Sequence, residues 1–81
     1  MFTVYVLWSE TLKKRYVGST SNLRRRLNEH NSGRSRFTSG GVPWKVLLTE
    51  RYGTLIEARE RESYLKTGAG RAWLDRQFDD S

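Results

Sequence analysis

Two polar side chains stand where helical geometry would place apolar ones or the edge of an apolar face, and both can handle a phosphate. The first is Arg26, within the basic run NLRRRLNEH of residues 22–30. At about 100° per residue, Leu23 and Leu27 lie about 40° apart and define a buried stripe. Arg26 falls about 60° to one side of Leu23 and His30 about 20°, with Asn22 below Arg26 on the same side. Asn22, Arg26 and His30 therefore form a polar row at the border of the buried face, able to look into a cleft. Arg24 and Arg25 point away from that row, toward solvent or a phosphate backbone. Three arginines in the first half of a helix oppose its dipole, a cost that a bound phosphate would reverse.

The second is Glu62. In the helical stretch of residues 54–66, Leu55, Ala58 and Leu65 form an apolar stripe about 80° wide, and Glu62 falls inside it. An ionised carboxylate on a buried face costs on the order of several kcal/mol unless it is paired or binds a metal. The alternatives are an ion pair with an arginine, or a single-carboxylate magnesium site completed by waters and substrate phosphate. Tyr5 and Tyr16 lie in strand-like stretches. As isolated observations they read first as core residues with satisfied hydroxyls, and His30 alone likewise reads first as structural.

The elements that must position these groups follow from the pattern. Residues 2–8 (FTVYVLW) are β-branched and aromatic on both faces, as in a central strand covered on both sides. A polar loop leads to a second strand at residues 15–18, most simply antiparallel to the first. Residues 18–21 (GSTS) make a turn ending in an N-cap, Thr20 or Ser21, for the basic helix of residues 22–30. Residues 34–41 (RSRFTSGG) form a basic loop, in which Arg34, Arg36 and Thr38 could touch phosphate. A third strand at residues 44–52 can pair with the free edge of the first. Thr54 and Glu57 fit a capping box for the second long helix, which ends near residues 67–70 (TGAG). A last helix at about residues 71–78 lays Trp73, Leu74 and Phe78 on the core. The expectation is an α+β domain spanning residues 1–81, with a three-stranded antiparallel sheet flanked by about three helices.

Composition limits the function classes. The chain has 81 residues, no cysteine and a formal charge of +6. Neither a disulfide framework nor a thiolate zinc site is available, and ten aromatic residues must supply much of the buried area. No apolar run could span a bilayer and the N-terminus does not read as a signal peptide, which predicts a cytoplasmic protein. Between residues 11 and 49 nine Lys or Arg accompany one acidic residue, Glu29. That asymmetry points the first half at a polyanion, most commonly nucleic acid rather than a membrane surface. No phosphate-cradling glycine loop or nucleophile elbow appears, so a nucleotide cofactor and a serine hydrolase are not expected.

Together these residues resemble the GIY-YIG nuclease family. Thr3-Val4-Tyr5 stands at the GIY position and Tyr16-Val17-Gly18 at the YIG position. Arg26 matches the arginine of the following helix, His30 stands four residues on, and Glu62 in EARERESYLK matches the metal-binding glutamate. The likeness runs over residues 2–66 and is strongest to small stand-alone bacterial members, which share GST-NL-R and PW. Thr3 replaces the first glycine, Ser19 stands where excision-repair relatives carry a lysine, and the late asparagine of homing endonucleases has no match.

The resemblance implies an endonuclease, of DNA repair or recombination, that hydrolyses DNA with one Mg²⁺ or Mn²⁺; a monomer is the separate expectation for the chain. Glu62 would hold the cation, Arg26 would offset charge on the phosphorane, and Tyr16 would activate or orient water with Tyr5 beside it. A free tyrosine has a pKa of about 10, so that role needs help from metal or nearby cations; His30 could assist the proton transfer. The competing expectations are a nucleic-acid-binding module of the same fold without hydrolysis, and a basic structural protein of a larger complex.

Overall fold

The computed structural model of the chain describes residues 1–33 and 38–78. Strand β1 (Phe2–Ser9) lies between β2 (Lys14–Thr20) and β3 (Trp44–Tyr52), antiparallel to both. Val4 to Leu7 are buried in succession, so both faces of β1 are covered. On one face Val4 and Val6 pack with Ala58 and Leu65 of α2 (Leu55–Leu65) and Leu74 of α3 (Gly68–Phe78). On the other, Tyr5 and Leu7 pack with Trp44, Tyr16, and Leu23 and Leu27 of α1 (Leu23–Asn31). The three-stranded sheet with helices on both faces is the architecture expected from the alternation of elements, and β3 has the bounds read from the sequence.

Three boundaries differ from expectation, each for a local reason. Strand β2 does not stop at Gly18, because Ser19 and Thr20 stay paired with Val4 and Thr3. The N-cap of α1 is then Asn22, neither Thr20 nor Ser21; its side chain accepts from the Arg25 amide at 3.1 Å, and Thr20 Oγ1 accepts from the Asn22 amide at 3.1 Å. Helix α3 begins at Gly68, since the Thr67 hydroxyl accepts from the Gly70 amide at 3.1 Å. Glycines that read as a stop instead allow close packing: a Cβ on Gly70 would collide with the Tyr64 carbonyl and the backbone of Leu65.

Helix α2 is capped as expected, Thr54 Oγ1 accepting from the Glu57 amide at 3.2 Å. Its inward stripe is narrower than the sequence suggested. Ala58 and Leu65 are buried, Arg61 and Glu62 lie half-buried between them, and Leu55 is exposed. Arg61 is accommodated by a two-point pair with Glu50, at 2.9 and 3.2 Å, and by its place over the Trp73 ring. Trp73 and Phe78 pack against the buried Leu74 cluster, as the pattern of α3 requires.

Candidate active site

A cleft of about 380 Å³ opens at the free edge of β2. The sheet contributes Tyr5, Tyr16, Gly18 and Ser19, α1 contributes Arg26, and α2 contributes Arg59, Glu62 and Ser63. Because strand residues alternate in direction, Tyr16 and Gly18 share the α1 face of β2 while Ser19 looks to the α2 face. The cleft therefore receives Arg26 from one side of the sheet and Glu62 from the other, around a single edge strand. A larger groove of about 550 Å³ lies between β2 and α3, but its one carboxylate, Asp75, is taken up by Arg15.

Gly18 makes this possible. It sits opposite Tyr5 in the ladder, and a Cβ there would stand 2.5 Å from the Tyr5 hydroxyl and 2.7 Å from its Cζ. The phenol of Tyr5 thus lies over bare backbone and reaches the strand edge. Tyr16, opposite Leu7, stacks alongside with ring centroids 6.3 Å apart.

Behind Tyr5 the site is dry. His30 is 0% exposed, with Nε2 3.1 Å from the Tyr5 hydroxyl and Nδ1 2.9 Å from Thr38 Oγ1. Burial, and then the nearby charge of Arg26, lowers its pKa below the ordinary 6.5, so the ring is neutral. A neutral imidazole donates from one nitrogen and accepts at the other. Thr38 is buried too, and its carbonyl accepts from Trp44 Nε1 at 2.7 Å. Asn31 pins the end of α1 to β3, accepting from the Trp44 amide at 2.6 Å and donating to the Trp44 carbonyl at 3.2 Å. Two expectations change here. Thr38 is no surface phosphate contact, because its hydroxyl is spent on His30 inside the core. His30 does not line the cleft; it reaches it only through its contact with the Tyr5 hydroxyl.

In front of Tyr5 the partners are charged and wet. Arg26 donates to Glu29 Oε1 at 2.9 Å across one helical turn, and Arg25 also lies 3.5 Å from Glu29 Oε2. The hydrogen bond with Glu29 and then the nearby Tyr5 phenol raise the pKa of Arg26. Burial raises the pKa of Tyr5 while the Arg26 guanidinium opposes it; the net shift is upward, so the phenol stays protonated at neutral pH. Arg24 and Arg25 are exposed as the helical geometry required. Asn22 is exposed but spends its side chain on the cap, so the polar row reduces to Arg26 and His30. Arg34 and Arg36 lie outside the described residues.

Glu62 closes the cleft from α2. Ser19 Oγ donates to its Oε1 at 2.6 Å, and Lys66 Nζ, one turn further along α2, lies 2.6 Å from Oε2. Burial pushes its pKa up, but the bonds from Lys66 and Ser19 and the charges of Lys66 and Arg59 outweigh that, leaving it below the usual carboxylate range. Glu62 is thus half-buried and ionised, with a lysine rather than an arginine as counter-charge. Among the described residues no three His, Cys, Asp or Glu side chains converge on a point. A caged zinc does not fit that donor set. A single ionised carboxylate lining a polar cleft does fit magnesium or manganese, which keep several waters and take substrate phosphate as ligand.

The sequence therefore located Tyr5, Tyr16, Arg26 and Glu62, which meet, and missed Arg59, Ser19, Lys66 and Glu29, which complete their surroundings. Helical spacing could have found three of these: Arg59 and Lys66 flank Glu62 at i−3 and i+4, and Glu29 follows Arg26 at i+3. The contact between Ser19 and Glu62 joins residues 43 positions apart and carries no local signal.

The profile of the GIY-YIG catalytic domain matches residues 1–73 of the chain. A UPF0213 protein of Natronomonas pharaonis is 39% identical over 67 residues, covering 79% of this chain and 75% of that one. A UPF0213 protein of Streptococcus agalactiae is 35% identical over 60 residues, covering 73% and 68% respectively. The solution structure of a UPF0213 protein from Bacillus halodurans is similar at a TM-score of 0.58 and 25% sequence identity, covering 99% of this chain and 88% of that one.

Proposed function

Because the chain belongs to the GIY-YIG nuclease family, we propose that it hydrolyses phosphodiester bonds in DNA with one divalent cation, Mg²⁺ or Mn²⁺, held by Glu62. The observation that carries this reading is the meeting of Arg26 and Glu62 in one cleft from opposite faces of the sheet. A structural ion pair would have joined them; instead each faces the cleft with a separate, exchangeable partner.

A phosphodiester seated there has Arg26 on one side and Arg59 and Glu62 on the other. Arg26, already held by Glu29, offsets charge that grows on the non-bridging oxygens in the transition state. When bound at Glu62, a divalent cation supplies the charge that polarises the phosphate and stabilises the leaving oxygen. Tyr5 is protonated and held from behind by His30, which suits it to hydrogen-bond and orient rather than to accept a proton. Tyr16, half-buried at the mouth beside it, orients or deprotonates the attacking water. Arg24 and Arg25, exposed on α1, extend the positive surface along which a backbone can lie.

The second reading, a nucleic-acid-binding module without hydrolysis, is favoured by one observation, the pairing of Glu62 with Lys66, which gives the carboxylate a structural partner. The two are separated by incubating the protein with labelled single-stranded, duplex and branched DNA in Mg²⁺, Mn²⁺ or EDTA. The nuclease reading predicts EDTA-sensitive cleavage of at least one substrate. Salt-sensitive binding without cleavage of any would replace it with the binding module.

A further inference from the structure

We infer that Lys66 is a displaceable counter-ion: its ammonium holds the oxygen of Glu62 that a divalent cation takes, and cation binding releases it to solvent. The inference rests on Glu62 as the cation ligand, and deepens that reading by assigning separate roles to the two groups that touch the carboxylate.

The two oxygens of Glu62 have different partners. Oε1 accepts from Ser19, a neutral hydroxyl on a short side chain fixed in the ladder of β2. Oε2 takes Lys66, whose side chain is 53% exposed and sits at the C-cap of α2 on a four-carbon stem. An ammonium that exposed is strongly hydrated once released and loses little by leaving. Lys66 is also the one cation that contacts Glu62 directly among the described residues, from the side of the neighbouring β2–α3 groove; Arg59 lines the cleft itself and acts on Glu62 through its field. A divalent cation carries twice the charge of an ammonium at the same oxygen, so it wins that position, but at a cost equal to the pair it breaks. Ser19 has no such conflict. Its hydroxyl stays on Oε1 and keeps the carboxylate aimed, as a hydrogen bond behind a metal ligand does.

Mn²⁺ binding, followed by water-proton relaxation enhancement on the intact protein without DNA, tests this independently of cleavage. Lys66→Met should tighten Mn²⁺ binding by about 5-fold, the weight of a partly exposed ion pair. Lys66→Arg keeps a cationic partner on Oε2 and should stay near wild type. Arg59→Gln removes the same charge from the cleft without freeing an oxygen, and should tighten binding by less than about 2-fold. Ser19→Ala should weaken binding. Equal tightening in Lys66→Met and Arg59→Gln, or none in Lys66→Met, overturns the displacement role. Unchanged Mn²⁺ binding in Glu62→Gln would be a different failure, since it removes the cation from Glu62 and with it the reading beneath.

Discussion

The two sides of Tyr5 are built from opposite materials. Behind it, His30, Thr38 and Trp44 form a buried chain of neutral hydrogen bonds, and the side-chain polar atoms buried among the described residues all have partners. In front, Arg26 and Glu62 hold the partly exposed charges Glu29 and Lys66. A buried neutral network is costly to break and keeps one geometry. Exposed ion pairs are worth little and exchange readily. In the proposed reaction the contrast separates fixing a phenol in place from admitting an anion and a cation, and it predicts that the two sides fail in different ways.

The largest effect should come from the front. Arg26→Ala is expected to lower DNA cleavage by at least about 100-fold while shifting the denaturant midpoint little, since its pair with Glu29 is exposed. A parallel loss of stability would make Arg26 part of the scaffold. The back should behave in reverse. His30→Ala leaves a cavity and strands the hydroxyls of Tyr5 and Thr38, which should cost about 2–4 kcal/mol in urea unfolding. A cost under about 0.5 kcal/mol would remove the contrast.

Gly18→Ala probes the seam between the sides, because the added Cβ meets the Tyr5 hydroxyl and Cζ. Expected is a loss of about 1–3 kcal/mol, partly recovered in the double variant with Tyr5→Phe. No coupling between the two substitutions in a double-mutant cycle would mean that Tyr5 does not lie over Gly18.

A smaller effect follows from pH. The folded pKa of His30 lies below its ordinary 6.5, so on acidification the unfolded chain takes up a proton that the folded one refuses. Stability from this group is complete above about 6.5 and is lost as pH falls toward the folded value. His30→Gln should flatten that slope below about pH 6.5; an unchanged slope would assign it to other groups.

How much of this could be read beforehand divides along the same line. The sheet order and the cleft-facing Arg26 come from short-range periodicity, which strand and helix geometry translates directly. Glu62 was found for a partly mistaken reason: the stripe that singled it out included Leu55, which is exposed. The back of the site was illegible because its pairs are distant. His30 looked like a cleft residue beside Arg26, and only the seating of α1 against β1 and β3 buries it. Thr38 looked like a loop tip until its hydroxyl met His30. Asn22 was read as a helical residue because nothing local indicates that β2 continues through Thr20.

In the proposed function Glu62 serves chemistry and not the fold. The direct measurement pairs the Mg²⁺-dependent cleavage rate of Glu62→Gln with its unfolding free energy, against wild type on the same DNA. Cleavage should fall by at least about 100-fold with stability within about 1 kcal/mol of wild type, the span of a partly exposed pair. Cleavage within about 2-fold of wild type in a folded Glu62→Gln protein would contradict it.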